Sequence, residues 1–316
     1  MMGGLFKPIT VTKEGVQFNS PELRAEVNKK KLSPSMIDSW LQGPADWAMS
    51  SFVEPKVQLE ESIHLVRGSW FHRVMEMFFK LTPEQRSDKE FALTVLKRIM
   101  NKVTKEEFPE MITPTKENLV WLQQLVHNYI FEMPDHDWQH EKVAKVFAMG
   151  QQKDGLELFV QGQVGNCTRK VLGFVDKIIE TDEGLEVQDW KSGQMYPYDP
   201  NLPISDDNSF GYWRQQILYA LVMKEMGMNA TSACLIFPKS KSTTWVDLNN
   251  EEAIQRAIAD AEQVDRELNE AIENDYFFPF KEHKYNGWAT YLAGIGHARK
   301  PNIQEDLLMQ MLDMQA

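Results

Sequence analysis

The segment from residue 173 to residue 193, GFVDKIIETDEGLEVQDWKSG, constrains the fold of this chain more than any other. Two runs rich in β-branched residues flank the turn-forming stretch ETDEG, a pattern that predicts an antiparallel β-hairpin. Side chains alternate along a strand, so Asp189 and Lys191 lie on the face that begins with the apolar Leu185. Asp176 interrupts an apolar row of the first strand in the same way. Ionisable groups in such rows cost desolvation energy, and this cost is usually tolerated for function.

The two aspartates of the hairpin favour a divalent cation. Carboxylates that converge on one point, completed by backbone carbonyls and water, make an oxygen-rich site for Mg²⁺ or Mn²⁺. A cation held there could polarise a phosphodiester and activate water. Lys191 could orient that water or, if partly desolvated, accept a proton. The alternative is a structural salt-bridge cluster of Asp176, Asp189 and Lys191 at the end of a sheet.

The remainder of the chain changes its hydrophobic period near residue 141. Before that point apolar residues recur at helical spacing, and LSPSMIDSWLQGP predicts a helix capped by Ser33 and ended by Gly43. After it come short strands, a loop at residues 194–209, a helix from Phe210, another strand and a long amphipathic helix. We therefore expect an α/β or α+β fold, with a mixed central β-sheet flanked by helices and a helical N-terminal region.

Composition is typical of a folded soluble protein. The 316 residues are 42% hydrophobic, which is enough to bury a large core. The net charge of −12 excludes a histone-like coat of positive charge, so any contact with nucleic acid must be local. We find no signal sequence and no apolar segment long enough to cross a bilayer, so we expect a cytoplasmic protein without membrane contacts. Cys167 and Cys234 are too few for a disulfide framework or a thiolate cluster.

Three motifs follow one another along the chain. They are GFVD, which ends at Asp176, QDWK, which contains Asp189 and Lys191, and QQILY, which contains Gln215 and Tyr219. In this order they resemble the G-x-x-D, D-x-K and Q-x-x-x-Y pattern of the PD-(D/E)xK nucleases, and of the RecB-like exonucleases among them. The resemblance implies a restriction-endonuclease-like core and metal-dependent hydrolysis of phosphodiester bonds in DNA.

Two upstream segments extend the resemblance. GSWFHRVME is similar to the family's helix that bears a metal-binding histidine, here His72, and SPSMIDSWLQGPADW is similar to its opening helix. Taken alone, a histidine on an apolar helix face would more often be a core residue. As a metal ligand, His72 needs an acceptor for its second ring nitrogen, and Glu76 lies one helical turn further on.

The resemblance implies a role for each of these residues. The expected metal ligands are His72, Asp176, Asp189 and the backbone carbonyl of Trp190. The expected catalytic residues are Asp176, Asp189 and Lys191. Gln215 and Tyr219, one helical turn apart, are expected to bind the substrate, and a packing pair within the helix is the alternative.

The resemblance also divides the chain into three regions. We expect a helical region at 1–135 that carries the histidine and belongs to the same fold, the PD-(D/E)xK core at 136–280, and a C-terminal extension at 281–316.

The chain departs from many RecB-like nucleases, which hold an iron–sulfur cluster on one early and three late cysteines. Gly43 stands where the early cysteine would be, and the late segment YNGWATYLAGIGHARK has no thiolate, so we expect no iron–sulfur cluster. PDHDWQH at 134–140 is a second potential metal site. Pro134 and the strand that follows argue against the helix that would align His136 with His140, so a polar loop is favoured.

Together these features predict a stand-alone Mg²⁺- or Mn²⁺-dependent exonuclease that acts on single- or double-stranded DNA ends. The resemblance suggests a role in recombination, repair or replication, of the kind that phages encode, with recombination or replication proteins as partners. The cytoplasm would then be that of a bacterial host. One alternative is a catalytically silent nuclease fold that binds DNA or serves in assembly. The other is a phosphoesterase that acts on RNA.

Overall fold

The structure, a computed structural model, describes residues 9–52, 63–107, 116–133, 136–193, 210–281 and 313–314. Its α-helices are α1 (Pro21–Lys29), α2 (Pro34–Gln42), α3 (Pro44–Phe52), α4 (Ile63–Phe78), α5 (Pro83–Ser87), α6 (Lys89–Lys102), α7 (Lys116–Phe131), α8 (Phe210–Glu225) and α9 (Glu251–Glu273). Its strands are β1 (Ile9–Val11), β2 (Gly15–Phe18), β3 (Lys142–Val143), β4 (Lys145–Ala148), β5 (Gln151–Asp154), β6 (Leu156–Gly162), β7 (Val171–Thr181), β8 (Gly184–Trp190), β9 (Ala230–Phe237), β10 (Ser242–Val246), β11 (Phe277–Pro279) and β12 (Asp313–Met314).

The chain forms two compact units, each built from more than one stretch of sequence. The first consists of Met1–Glu61, Gln163–Val171 and Ile258–Ala316, and the second of Ser62–Gly162 and Leu172–Ala257. The helix with the predicted histidine and both strands of the predicted hairpin belong to the second unit. The boundaries expected after residues 135 and 280 remain a prediction.

In the first unit, a small sheet has the strand order β11-β2-β1-β12. Helix α2 begins and ends as the sequence predicts. The Ser33 hydroxyl accepts a hydrogen bond from the Met36 backbone amide at 3.2 Å, Pro34 is the first helical residue, and Gly43 is the C-cap. A side-chain oxygen at this position satisfies an amide that the first helical turn leaves without a partner.

The second unit contains a mixed six-stranded sheet. The strand order is β10-β9-β8-β7-β3, and β6 also pairs with β7. Strands β7 and β8 form the predicted antiparallel hairpin, with a register from Lys177 opposite Gln188 to Thr181 opposite Gly184, and β8 runs parallel to β9. Apolar side chains of α4, α6 and α7 share one buried core with residues of β8 and β9. The expected fold, a mixed sheet flanked by helices, is thus confirmed.

The structure bears on the remaining expectations in different ways. The long amphipathic helix is confirmed as α9. The loop at 194–209 and the C-terminal segment YNGWATYLAGIGHARK lie outside the described residues. Among the helices that are described, we find none that combines the length and the apolar character required to span a bilayer.

Candidate active site

The site begins where the hairpin ends. The antiparallel register of β7 and β8 stops at the Lys177–Gln188 pair, and Asp176 and Asp189 are the next residues on the two strands. Asp176 spans the gap between the strands, because its Oδ2 accepts a hydrogen bond from the Trp190 backbone amide at 2.9 Å. The two aspartates are only 8% and 2% exposed, so both depend on protein partners or on a ligand.

Helix α4 brings His72 to the same place. Its Nδ1 lies 3.3 Å from Asp176 Oδ2, so the predicted meeting of the histidine with the hairpin is found in the structure. Burial lowers the pKa of His72, but the negative charge of Asp176 outweighs burial and raises this pKa to about 9. The expectation that Glu76 serves His72 is wrong. Its two carboxylate oxygens bind Arg73 at 2.5 Å and Lys80 at 2.8 Å instead.

The second aspartate heads a chain of polar contacts that reaches α8. Asp189 Oδ2 lies 2.6 Å from Lys191 Nζ, and its Oδ1 accepts a hydrogen bond from Gln215 Nε2 at 3.0 Å. The ammonium of Lys191 donates to Gln215 Oε1 at 2.8 Å, and Gln215 Nε2 also lies within 3.3 Å of the Tyr219 hydroxyl. The residues of the D-x-K and Q-x-x-x-Y motifs are therefore in direct contact, with the Gln215 amide bound to both charged groups.

Glu157 on β6 joins the site, and the sequence motifs do not include it. One ligand atom from each of His72, Glu157 and Asp176 can be chosen so that all three lie within 4.8 Å of one another. Glu157 has a φ of 45°, a left-handed conformation that is uncommon for any residue except glycine. Such conformations often occur where a strand directs a side chain towards a functional site. Asp189 is not a member of this group.

Burial and neighbouring charges shift the pKa values of the ionisable groups in the site. Burial raises the pKa of Glu157 to about 7, and the nearby Asp176 adds to the effect. Burial also raises the pKa of Asp189 to about 6, although Lys191 opposes this shift. For Asp176, burial acts in the same direction, but the imidazole of His72 outweighs it and the pKa is lowered. Burial lowers the pKa of Lys191, but Asp189 and Asp176 outweigh burial and raise it, which favours an ammonium over a proton acceptor.

The residues present fit a divalent cation. An imidazole nitrogen and carboxylate oxygens, converging within 4.8 Å, are a donor set that Mg²⁺ and Mn²⁺ accept. Asp189 Oδ2 is paired with the Lys191 ammonium at 2.6 Å, and a carboxylate oxygen can accept a further partner besides this ion pair. A cavity of about 710 Å³ opens beside the three ligand atoms and is lined by Glu157, Phe174 and Asp176 among others. This volume lies in the range of sites for small ligands.

The potential metal site at 134–140 takes a different form. The ring of His136 is buried, with Nε2 2.5 Å from the Tyr129 hydroxyl, whereas His140 is exposed and pairs with Asp137 at 2.8 Å. Residues 138–140 form a turn, so the two imidazoles are not presented on one helix. Pro134 and Asp135 lie outside the described residues.

The mixed sheet thus brings carboxylates, an imidazole and a lysine to one end of a hairpin, a set of groups that can hold a divalent cation. The sequence pattern of the PD-(D/E)XK nuclease superfamily matches residues 31–288, and the chain belongs to this superfamily. Its fold is accordingly the restriction-endonuclease-like α/β fold expected from the motifs. Nucleases of this superfamily use divalent metal ions, in keeping with the acidic group around His72.

Two solved structures are similar to the chain. One is a candidate exonuclease from Eubacterium rectale, with 13% sequence identity, a TM-score of 0.47, and coverage of 90% of this chain and 94% of the other. The second is SSO0001, with 16% identity, a TM-score of 0.22, and coverage of 60% and 73%. Comparison with curated protein sequences gives no match.

Proposed function

We propose that the chain is a Mg²⁺- or Mn²⁺-dependent deoxyribonuclease that removes nucleotides from DNA ends. The observation that carries the proposal is the convergence of ligand atoms from His72, Glu157 and Asp176 within 4.8 Å of one another. Asp189 and the backbone carbonyl of Trp190 complete the proposed set of metal ligands.

Each charged group of the site has a proposed task. A bound divalent cation supplies positive charge to the transition state and lowers the pKa of water. Lys191 stabilises the negative charge that develops on the phosphate and orients the attacking water, since its ammonium is held at 2.6 Å by Asp189 and at 2.8 Å by Gln215. Gln215 therefore positions Lys191 in addition to its proposed contact with substrate, and Tyr219 holds Gln215 from the next helical turn.

DNA recombination, repair or replication is the proposed setting, with DNA ends as substrate and recombination or replication proteins as partners. The order of the RecB-like motifs supports this setting and a phage origin by analogy.

The test is digestion of oligonucleotides labelled at the 5′ or the 3′ end, as single strands, duplexes and RNA. We expect release of nucleotides from DNA with Mg²⁺ or Mn²⁺, and none with EDTA. Asp176→Asn and Lys191→Met should each lower kcat by at least about a hundredfold, the loss typical of one preorganised charge-stabilising group.

A matched control is Lys145→Met, because Lys145 is an exposed lysine that pairs with Asp154 on the β4–β5 hairpin. This variant should digest DNA like the wild type. Wild-type turnover by the Lys191→Met protein would refute the role of Lys191. DNA binding without cleavage under any metal would favour a silent nuclease fold, and cleavage confined to RNA would favour the other alternative.

A further inference from the structure

Two phenylalanines stand next to the proposed metal ligands. Phe174 on β7 is 54% exposed and lines the same cavity as Glu157 and Asp176. Phe159 on β6 supports it, with ring centroids 5.3 Å apart and planes inclined by 56°. A single exposed phenylalanine is ordinary on a protein surface. The position of Phe174 is informative because it lines the same cavity as the carboxylates of Glu157 and Asp176.

The spacing along the two strands relates the rings to the acids. Strands β6 and β7 are paired neighbours. Glu157 precedes Phe159 by two residues on β6, and Phe174 precedes Asp176 by two residues on β7. Two residues of a strand span about 6.6 Å. This is comparable with the distance between the phosphate and the base of one nucleotide. If the phosphate of a nucleotide lies beside Glu157 and Asp176, an adjacent base can therefore reach Phe174 and Phe159.

We propose that Phe174, supported by Phe159, is the platform on which the base next to the scissile phosphate stacks, so that the enzyme acts on an unpaired nucleotide. This inference rests on the proposed nuclease function. A base in the interior of a duplex has both faces covered by its neighbours, so it cannot offer a face to Phe174 until the end is opened and the base is unstacked. The substrate class is therefore single-stranded DNA or a frayed end. Every base has an aromatic face, so the contact tolerates all sequences.

The experiment combines a protein variant with a matching change in the DNA. The substrates are single-stranded oligonucleotides in which one nucleotide, at successive positions from the end, lacks its base. For the full-length wild type, we expect one abasic position to lower kcat/KM by about tenfold, the effect of losing one base–aromatic stack. Phe174→Ala should lower kcat/KM on intact DNA by about the same factor. On the abasic substrate it should cause no further loss, because the two changes remove one contact.

Two further variants test the chemistry of the contact. Phe174→Tyr keeps an aromatic face and should retain the wild-type value. Phe147→Ala removes a phenylalanine that is 68% exposed on β4 and does not border the cavity, so it should also retain that value. Because Phe174 is exposed, its replacement is expected to leave folding intact, which thermal unfolding will verify.

The outcomes distinguish this inference from the proposed function. If the wild type digests DNA but Phe174→Ala and the abasic nucleotide act additively, or Phe174→Ala digests like the wild type, the stacking platform is refuted and the nuclease stands. If the wild type neither digests nor binds these oligonucleotides in fluorescence anisotropy, both proposals fail. If the wild type binds these oligonucleotides without digesting them, the same comparison of Phe174→Ala with the abasic nucleotide is made on Kd. Each change should then weaken binding by about tenfold, with no further loss when the two are combined.

Discussion

The buried imidazole of His136 makes the stability of the protein depend on pH in a defined direction. Its side chain is 5% exposed, and Nδ1 lies 3.4 Å from Glu141 Oε1. The Tyr129 hydroxyl, 2.5 Å from Nε2, accepts a hydrogen bond from Lys177 Nζ at 3.3 Å and can donate its own proton to the imidazole. Burial lowers the pKa of His136 to about 4, and the ammonium of Lys177 reinforces this effect while Glu141 and Asp137 oppose it.

The sign follows from the two states. In an unfolded chain the pKa of histidine is about 6.5. Between about pH 6.5 and pH 4, the unfolded state therefore binds a proton at His136 that the folded state does not bind. Stability is therefore present above this window and is lost as pH falls through it. A difference of about 2.5 pKa units corresponds to about 3 kcal/mol in total, of which about 2 kcal/mol is lost between about pH 7 and pH 4.5.

The assay is urea denaturation of the wild type and of His136→Gln, measured at a series of pH values across this window. Glutamine can accept the Tyr129 hydrogen bond but does not titrate, so the free energy of unfolding of the wild type relative to the variant should fall by about 2 kcal/mol on acidification. His140→Gln is the matched control, because it makes the same replacement at a histidine that is 67% exposed. A wild-type curve parallel to that of His136→Gln would refute the reasoning.

Three further predictions concern packing and capping. A Cβ at Gly173 would lie 2.5 Å from the Tyr219 ring, so Gly173→Ala should lower the free energy of unfolding by about 1–3 kcal/mol and should raise KM for DNA by moving Tyr219. Unchanged values of both would contradict this contact. Ser33→Ala should cost about 1 kcal/mol in urea denaturation because it removes the N-cap of α2, and Ser33→Asp should restore the loss. Asp265 is 3% exposed and accepts hydrogen bonds from the Thr168 hydroxyl at 2.7 Å and from Arg169 Nη1 at 2.9 Å. Asp265→Ala should cost about 2 kcal/mol because it removes this charged acceptor, and an unchanged denaturation midpoint would exclude this interpretation.

The hairpin and its charges could be predicted because the information is local. Strand alternation places Asp189 and Lys191 on one face, and the structure has their charged atoms 2.6 Å apart. The cap of α2 is equally local, because Ser33, Pro34 and Gly43 satisfy helix-end chemistry within a few residues. Patterns of this kind need no knowledge of the rest of the fold.

Glu157 could not be found in this way. It lies in LELFVQG, where a polar residue on the more exposed face of a strand is ordinary. Its proximity to His72 and Asp176 depends on the pairing of β6 with β7 and on a positive φ, and neither is encoded by a motif. The carboxylates of Glu157 and Asp176 can be seen to lie near His72 only after the strands have been paired.

Two other features depend on contacts that sequence spacing leaves open. The short strands β1 and β2 were not predicted, because β2 completes its pairing with Phe277–Pro279 near the other end of the chain. Glu76 lies at the right spacing from His72, but Arg73 and Lys80 lie at equally favourable helical spacings and bind its carboxylate. Spacing identifies the candidates for a contact, and the competing charges decide which contact forms.

Metal binding tests the central proposal most directly. Isothermal titration calorimetry measures the Kd of Mn²⁺ for the full-length wild type, Asp176→Asn and Glu157→Gln, and it does not depend on turnover. We predict that the wild type binds Mn²⁺ and that each variant binds it at least about tenfold more weakly, because each loses a carboxylate that faces His72. A wild-type protein that takes up no Mn²⁺, or variants that bind it as tightly as the wild type, would contradict a metal centre at these three residues.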